Sequence, residues 1–159
     1  MTSVTEYLAR HKVYFDVLPH KKTDTAQEEA SSIGAAPHDV VKTVVAMTSN
    51  GPALLAVPAS RRLDMKLVRG ALQDRDAHLA SEDEISALLP DFELGAIPPL
   101  PTLTGMRMYV DPEVMDIEAM IIPAGISTLS VRGRRDDIIG DEPISRIVPL
   151  VRHEDELEY

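Results

Sequence analysis

A short turn between two apolar segments constrains the fold more than any other feature of this sequence. Asn50-Gly51 joins Val40–Met47, which is rich in β-branched residues, to the apolar segment Ala53–Val57. Asn-Gly is the strongest short signal for a β-hairpin, because both residues of the turn must tolerate positive φ. The sequence therefore predicts that these two segments form neighbouring antiparallel strands.

Capping signals place helices on both sides of this hairpin. Thr25 is followed three residues later by Glu28, and Ser81 by Glu84, which is the spacing of a capping box. The predicted helices are Ser3–Arg10 within residues 1–12, a helix from Thr25 to Gly34, one from Ser60 to Gly70, one from Ser81 to Pro90, and a turn near Asp136–Ile139.

Alternating and β-branched segments predict the remaining strands. These are Val13–Val17, Arg107–Val110, Ala119–Ile122, Thr128–Val131 and Ile144–Val151. The order of elements predicts a single α+β domain over residues 1–159, with helices packed on a mixed, mostly antiparallel sheet and an acidic tail at residues 152–159.

The composition excludes several classes of site. With no cysteine there is no disulfide framework, thiolate zinc site or cysteine nucleophile. The five histidines lack H-x-x-x-H and H-E-x-x-H spacing, and no G-x-G-x-x-G or Walker loop is present, so we expect neither a metal nor a cofactor. A net charge of −10 argues against a long nucleic-acid footprint but allows a local basic patch for one end of an RNA.

Nothing in the sequence predicts a membrane protein. The longest apolar stretches, at Val44–Met47 and Ala53–Val57, are strand-sized and too short to span a bilayer. Met1–Arg10 does not have the pattern of a signal peptide, so we expect a cytoplasmic location.

Lys42 interrupts an apolar strand. It lies in Val40–Ala46, where nearly every neighbour is apolar. One interpretation places its ammonium group in water on an exposed face of the sheet. The other places it in a pocket, where a carboxylate or a phosphate must offset the desolvation of the charge. The pattern alone leaves both open.

The segment Gly95–Pro99 is predicted to be a stiff loop. Pro98 and Pro99 fix φ and lack an N–H group, whereas Gly95 allows a left-handed turn. Its amide groups suit the wall of a small pocket, and an inert connector is the alternative. The basic segment His20–Thr23 either contacts the charged end of a ligand or stays solvated.

Together these segments resemble the YbaK/ProX family of aminoacyl-tRNA deacylases, which is related to the editing domain of bacterial prolyl-tRNA synthetase. The resemblance extends from Val13 to Asp137 and implies the fold of that editing domain. The segments that carry it, in the order of the family, are Thr25–Ala30 leading to Ile33-Gly34, Val41–Val44, Leu55–Pro58 followed by Arg62–Asp64, and Gly95–Pro99.

The resemblance also implies a function and a site. Family members remove a wrongly attached amino acid from tRNA in trans, without a metal, by hydrolysing its ester to the 3′-terminal ribose. The implied partner is the acceptor end of a mischarged tRNA, with an aminoacyl-tRNA synthetase or an elongation factor as a further partner. Lys42 is the implied catalytic residue. The residues expected to bind substrate are Gly95, Ala96, Ile97, Pro99, Tyr14, His20, Gly125 and Ser127.

Two departures from the family leave the amino acid open. Members that clear Cys-tRNA carry a serine and then an acid after the late strand, where this chain has Pro123-Ala124-Gly125 followed by Ser127 and Ser130. Thr43 follows Lys42, where alanine-clearing relatives tend to have asparagine. Side chains expected to line the pocket, subject to strand register, are Tyr14, Val44, Ile97, Met106 and Ile122.

Two other functions stay open at this point. A non-catalytic module that holds a tRNA 3′ end or an aminoacyl-adenylate-like small molecule in the same pocket would show binding without turnover. A protein-interaction domain would need an exposed apolar face, and the sequence singles none out.

Overall fold

A computed structural model describes residues 3–22 and 25–153. Six α-helices lie within these ranges: α1 (Val4–Arg10), α2 (Ala26–Ser32), α3 (Met65–Leu72), α4 (Glu82–Leu88), α5 (Pro101–Thr104) and α6 (Arg135–Ile138). None of these helices has the length and apolar character that crossing a bilayer requires.

The strands described in the same ranges form three sheets. They are β1 (Phe15–Pro19), β2 (Val41–Thr48), β3 (Gly51–Pro58), β4 (Arg62–Leu63), β5 (His78–Leu79), β6 (Arg107–Val110), β7 (Ala119–Pro123), β8 (Leu129–Arg134), β9 (Arg146–Ile147) and β10 (Val151–Arg152). The sheets have the orders β5-β2-β3-β6-β9, β1-β8-β7 and β10-β4. Most pairs are antiparallel, and β6 is parallel to β3 and β9. The predicted α+β fold with a mixed, mostly antiparallel sheet is confirmed.

The predicted hairpin forms the centre of the five-stranded sheet. β2 and β3 pair antiparallel from Val41 opposite Pro58 to Thr48 opposite Gly51. Because Thr48 pairs with Gly51, the turn itself consists of Ser49 and Asn50. The expectation of positive φ at both Asn50 and Gly51 is wrong, since only Gly51 has it, at φ +100°, which requires glycine at the first strand position after the turn.

Alternation along the hairpin supplies apolar side chains to both faces of the sheet. Odd-numbered Val41 and Val45 pack into a main core between the five-stranded and three-stranded sheets, together with α1. Even-numbered Val44 and Ala46 pack on the opposite side, in a second core with Val68 of α3. A sheet covered on both faces positions its strands rigidly, which is what a binding site at its edge needs.

A small cluster links α2 to both sheets near the start of β2. Ala30 of α2 packs with Val40, Ala59 and Ile121. Val40 also forms a parallel bridge with Ile121 of β7. This cluster therefore brings the residue before β2, the middle of β7 and the inner side of α2 to one place.

The caps are confirmed in part. The Thr25 side chain accepts a hydrogen bond from the Glu28 N–H, and Ser81 forms the full capping box with Glu84. The predicted cap at Ser60 is wrong, because Asp64 caps α3 instead.

Long-range pairing accounts for two further corrections. Arg62 and Leu63 pair with Arg152 and Val151, which holds residues 60–63 out of the helix and removes Arg152 from the predicted tail. The predicted strand Ile144–Val151 is divided into β9 and β10, which lie in different sheets. Residues 154–159 of the predicted tail lie outside the described residues.

Candidate active site

A cavity of about 700 Å³ lies beside the first residues of β2. Its walls come from α2, β2, α4, the loop before Ile97 and the turn after β7. The residues that line it are Lys22, Thr25, Glu29, Val40, Val41, Lys42, Thr43, Glu82, Ser86, Phe92, Glu93, Leu94, Gly95, Ala96, Pro123, Ile126 and Ser127.

The cavity follows an open strand edge. β3 covers one edge of β2 along its whole length, whereas β5 pairs on the other edge only with Ala46 and Met47. The Val45 carbonyl accepts a hydrogen bond from the Ala80 N–H, so odd-numbered residues of β2 direct their backbone groups to this outer edge. The backbone N–H and C=O of Thr43 therefore face the cavity, where a ligand can bond them.

Lys42 lies in the cavity wall, half-buried, on a strand fixed by its pairing with Val57. Burial lowers the pKa of its ammonium group from the ordinary value. Among the described residues, no carboxylate or hydrogen-bond acceptor is paired with it. A desolvated charge without a partner is unfavourable in the empty protein, and a phosphate or a polarised carbonyl in the cavity would relieve that cost.

Backbone hydrogen bonds hold the predicted loop against the turn after β7. The Glu93 N–H donates to the Gly125 carbonyl, and the Gly125 N–H donates to the Ala96 carbonyl, each over 2.9 Å. Gly95 has φ +79° and Gly125 has φ +89°. A Cβ at Gly125 would lie 3.3 Å from the Phe92 ring, whereas one at Gly95 would meet nothing within 4 Å. Gly125 therefore shapes the wall from behind it, and it is not itself a lining residue.

The predicted amide donors of this loop are corrected in one respect. The Ala96 N–H donates to the Glu93 carbonyl over 3.0 Å and is not available to a ligand. The Gly95 N–H has no hydrogen-bond acceptor among the described residues. Gly95 is thus the better candidate for an amide that contacts substrate.

Ser127 closes the same wall through Glu93. The Ser127 N–H donates to Glu93 Oε2 over 3.0 Å. Hydrogen bonds from the Ser127 hydroxyl and N–H lower the pKa of the Glu93 carboxyl, which keeps it ionised. Ser127 lines the cavity, and its polar groups are directed to Glu93.

The structure therefore brings together Lys42, Gly95, Ala96 and Ser127 of the predicted site. Ile97 is in the main core, and Pro99 is buried behind the loop. Neither lines the cavity, because the chain turns inward after Ala96.

Tyr14 does not line the cavity either. Its side chain is 91% exposed, since it precedes β1 and packs in none of the cores. Of the other predicted lining residues, Val44 faces the second core, and Met106 and Ile122 face the main core. The strands of Val44 and Ile122 were identified correctly, whereas Met106 directly precedes β6, and the direction of all three side chains depends on register.

His20 lies behind the cavity wall. Its Nε2 atom is 2.9 Å from Ser130 Oγ, and its Nδ1 atom is 2.7 Å from the Lys21 carbonyl oxygen. Both ring nitrogens are thus engaged within the protein. Lys22, two residues after His20, lines the cavity, so the basic segment reaches the site through this lysine.

Glu29 is the site residue that sequence reasoning missed. It is 8% exposed and lines the cavity from α2. Burial raises the pKa of its carboxyl, against the opposing effects of the His20 charge and the Ser130 hydroxyl. The capping pattern at Thr25 fixed the helix, but nothing in the sequence showed which side of it would be buried.

The cavity carries charges of both signs, with Lys22 and Lys42 against Glu29, Glu82 and Glu93. Within the described ranges, no three acidic or histidine side chains gather closely enough to hold a metal ion.

Comparisons with solved structures support the fold. The chain matches a crystal structure provisionally described as a trans-editing enzyme for prolyl-tRNA synthetase, at 21% identity and a TM-score of 0.78, over 94% of this chain and 93% of that one. It matches a protein described only as hypothetical at 18% identity and a TM-score of 0.78, over 91% and 97% of the two chains. It also matches part of a protein provisionally described as a signal transduction protein from Marinobacter aquaeolei, at 16% identity and a TM-score of 0.69, over 94% of this chain and 30% of that one.

Sequence comparison identifies the family. No curated protein matches the chain significantly. The family model described as the aminoacyl-tRNA editing domain matches residues 20–140. Because this match spans more than half of the sequence, the chain belongs to the aminoacyl-tRNA editing domain family.

Proposed function

We propose that this protein deacylates mischarged aminoacyl-tRNA in trans, by hydrolysing the ester between the amino acid and the 3′-terminal ribose. The observation that carries the proposal is Lys42, a half-buried cation that forms no ion pair among the described residues, in the wall of a cavity of about 700 Å³. Membership of the editing-domain family supports the choice of substrate class.

The reaction needs little chemical machinery. Water adds to the ester carbonyl carbon, the tetrahedral intermediate collapses, and the bond to the ribose oxygen breaks. The ribose oxygen takes up a proton, so that the products are the free amino acid and tRNA with a free terminal hydroxyl. Because an aminoacyl ester is already activated, holding it beside a water molecule supplies most of what is required, and orientation alone can contribute on the order of 7–11 kcal/mol.

Lys42 is proposed to fix the substrate electrostatically. Its ammonium group is a compact point charge, suited to the terminal phosphate or to the ester carbonyl oxygen. A fixed cation in a partly desolvated site stabilises developing negative charge more strongly than it would in water. The unfavourable desolvation of the Lys42 charge in the ligand-free protein is therefore offset when substrate binds.

Backbone groups would complete the positioning. Gly95 and Thr43 both line the cavity, and the Gly95 N–H has no acceptor among the described residues. Donors from two separately anchored segments can hold the ester from two sides, which is the arrangement that stabilises a tetrahedral oxyanion.

The lining of the cavity suits the end of a tRNA. Leu94 and Ile126 are exposed apolar residues of this lining, and Lys22 is an exposed cation of the same lining. Apolar side chains can pack against the terminal base while the lysine contacts a phosphate. One local cation is compatible with the overall charge of −10, which disfavours a longer footprint. Action on charged tRNA would place the protein in the cytoplasm, with synthetases and elongation factors as competitors for the same acceptor end.

The test is a deacylation screen of purified protein against a panel of mischarged tRNAs. We expect at least one ester to be hydrolysed well above its uncatalysed rate. Saturable binding of tRNA without turnover of any ester would show a binding module and contradict the proposed hydrolysis.

A further inference from the structure

Glu29 is placed on the cavity wall by the packing of α2. Its neighbour Ala30 is fully buried against Val40, Ala59 and Ile121, which fixes the inner side of the helix. Glu29 lies beside it, is 8% exposed and lines the cavity. The carboxyl group is thus directed inward by the fold, although an acid would be better solvated on the outer side.

One oxygen of this carboxyl has no partner. Among the described residues, nothing donates a hydrogen bond to Glu29 Oε2, and no lysine or arginine forms an ion pair with it. His20 and Ser130 lie on the protein side and act on the group from there. The cavity lies on the other side.

A second buried oxygen among the lining residues, on β2, is also unpaired. Thr43 Oγ1 lacks a partner within residues 3–22 and 25–153. Buried polar groups in native proteins are nearly always bonded, so two such oxygens at one cavity indicate that a ligand completes them. A carboxylate oxygen accepts hydrogen bonds and a threonine hydroxyl can accept one as well, so a cationic donor in the cavity would complete both atoms.

We propose that Glu29 binds the protonated α-amino group of the aminoacyl ester. The inference rests on the proposed function and adds the direction in which the substrate lies. An aminoacyl-tRNA end has one cationic group, the α-ammonium, and several anionic phosphates. In a cavity with Glu29 on one wall and Lys42 and Lys22 on others, the amino end lies toward Glu29 and the phosphates lie toward the lysines.

Little movement is required for this contact. The last side-chain torsion of glutamate has a broad, roughly two-fold profile, so the carboxyl can turn its free oxygen toward the cavity without a shift of the helix. Burial favours the neutral form of Glu29 in the empty protein, and an ammonium ligand favours the ionised form.

The experiment compares two esters on the same tRNA, one with an α-amino group and one with an α-hydroxyl group of similar size and no charge. The tRNA is the one that wild type deacylates fastest, and each rate is divided by the uncatalysed rate of that ester. Wild type should favour the amino ester by at least about tenfold, the scale of a charge-assisted hydrogen bond. Glu29→Gln should reduce this preference to less than threefold, mainly through KM for the amino ester.

Glu82→Gln is the matched control, since Glu82 is an exposed acid that also borders the cavity. It should leave the preference within threefold of the wild-type value. Equal wild-type rates on the two esters, or an unchanged preference in Glu29→Gln, would overturn the inference while the hydrolase proposal stands.

If wild type deacylates no tRNA of the panel, the proposed hydrolysis fails and binding decides the inference. The probes are then 3′-amino-linked adenosine analogues that carry an amino acid or its hydroxy-acid counterpart. Tighter binding of the amino analogue to wild type, but not to Glu29→Gln, would support the subsite, and equal binding would overturn it.

Discussion

Two buried acids of this protein are in opposite situations. Asp111 is 2% exposed, and both of its oxygens are used: Oδ1 accepts from the Glu113 N–H, and Oδ2 accepts from the N–H groups of Leu150 and Val151. Glu29 is almost as buried, yet its Oε2 has no donor among the described residues.

The difference separates a structural acid from a binding acid. Asp111 joins the end of β6 to the segment that leads into β10, and its bonds are complete without a ligand. Glu29 has polar neighbours on one side and the cavity on the other. Incomplete hydrogen bonding, more than burial or charge, thus distinguishes a group that the protein keeps for a ligand.

The largest effect should come from changing the structural acid to its amide. In Asp111→Asn, one carboxylate oxygen is replaced by an NH₂ group. In one orientation of the amide this group faces the N–H groups of Leu150 and Val151, and in the other it faces the N–H group of Glu113, so a donor meets a donor either way. We expect a loss of about 3 kcal/mol in the free energy of unfolding, as for a buried charge-assisted hydrogen bond replaced by unpaired donors. Urea denaturation measures it, and a loss below about 1 kcal/mol would break the comparison.

A substitution at Gly125, behind the lining of the cavity, should reduce stability and activity more than the same substitution at Gly95, in the lining. Gly125→Ala combines a positive φ with a 3.3 Å contact to Phe92, whereas Gly95→Ala has a positive φ in open space. We expect losses of about 2 kcal/mol and about 1 kcal/mol in stability. Deacylation should fall further in Gly125→Ala than in Gly95→Ala, because hydrogen bonds to the backbone of Gly125 hold the loop that carries Gly95. Equal losses at both positions would contradict this description of the wall.

The smallest effect, with the opposite sign, is expected at the binding acid. The pKa of Glu29 is raised in the folded protein, so the folded state holds its proton more tightly than the unfolded state. The contribution of Glu29 to the free energy of unfolding is fully present below the ordinary pKa of a glutamate carboxyl, and it is lost as the pH rises through the raised pKa. Glu29→Gln does not titrate, so its melting temperature should exceed that of wild type by a margin that grows from pH 4.5 to pH 8. A margin that is constant with pH would show that Glu29 does not carry the buried charge.

Local signals predicted much of this fold. Asn50-Gly51 specified the hairpin, and the capping residues Thr25 and Ser81 marked two helix starts, because turns and caps depend on neighbours within a few residues. Ser60 failed as a cap because residues 62 and 63 pair with a strand about ninety positions later. No local pattern contains such a contact.

The sequence predicted site residues only where their type differs from that of their neighbours along the chain. Lys42 was conspicuous among apolar residues, and the loop at Gly95 among regular elements. Glu29 was one acid in an ordinary helix, and its burial depends on the contacts of Ala30 with three other segments. Tyr14, an aromatic residue within the predicted strand Val13–Val17, was expected inside and is exposed, because β1 begins one residue later and Tyr14 packs in none of the cores.

The central claim is that Lys42 lies in the cavity to contact substrate and does not stabilise the folded protein. The direct test measures deacylation and thermal unfolding for wild type, Lys42→Met and Lys66→Met, the last being an exposed lysine on α3. We expect Lys42→Met to lose deacylation by about 100-fold or more while melting at or above the wild-type temperature, since an unpaired, partly desolvated charge is removed. Lys66→Met should match wild type in both. Deacylation by Lys42→Met within threefold of wild type would contradict the account.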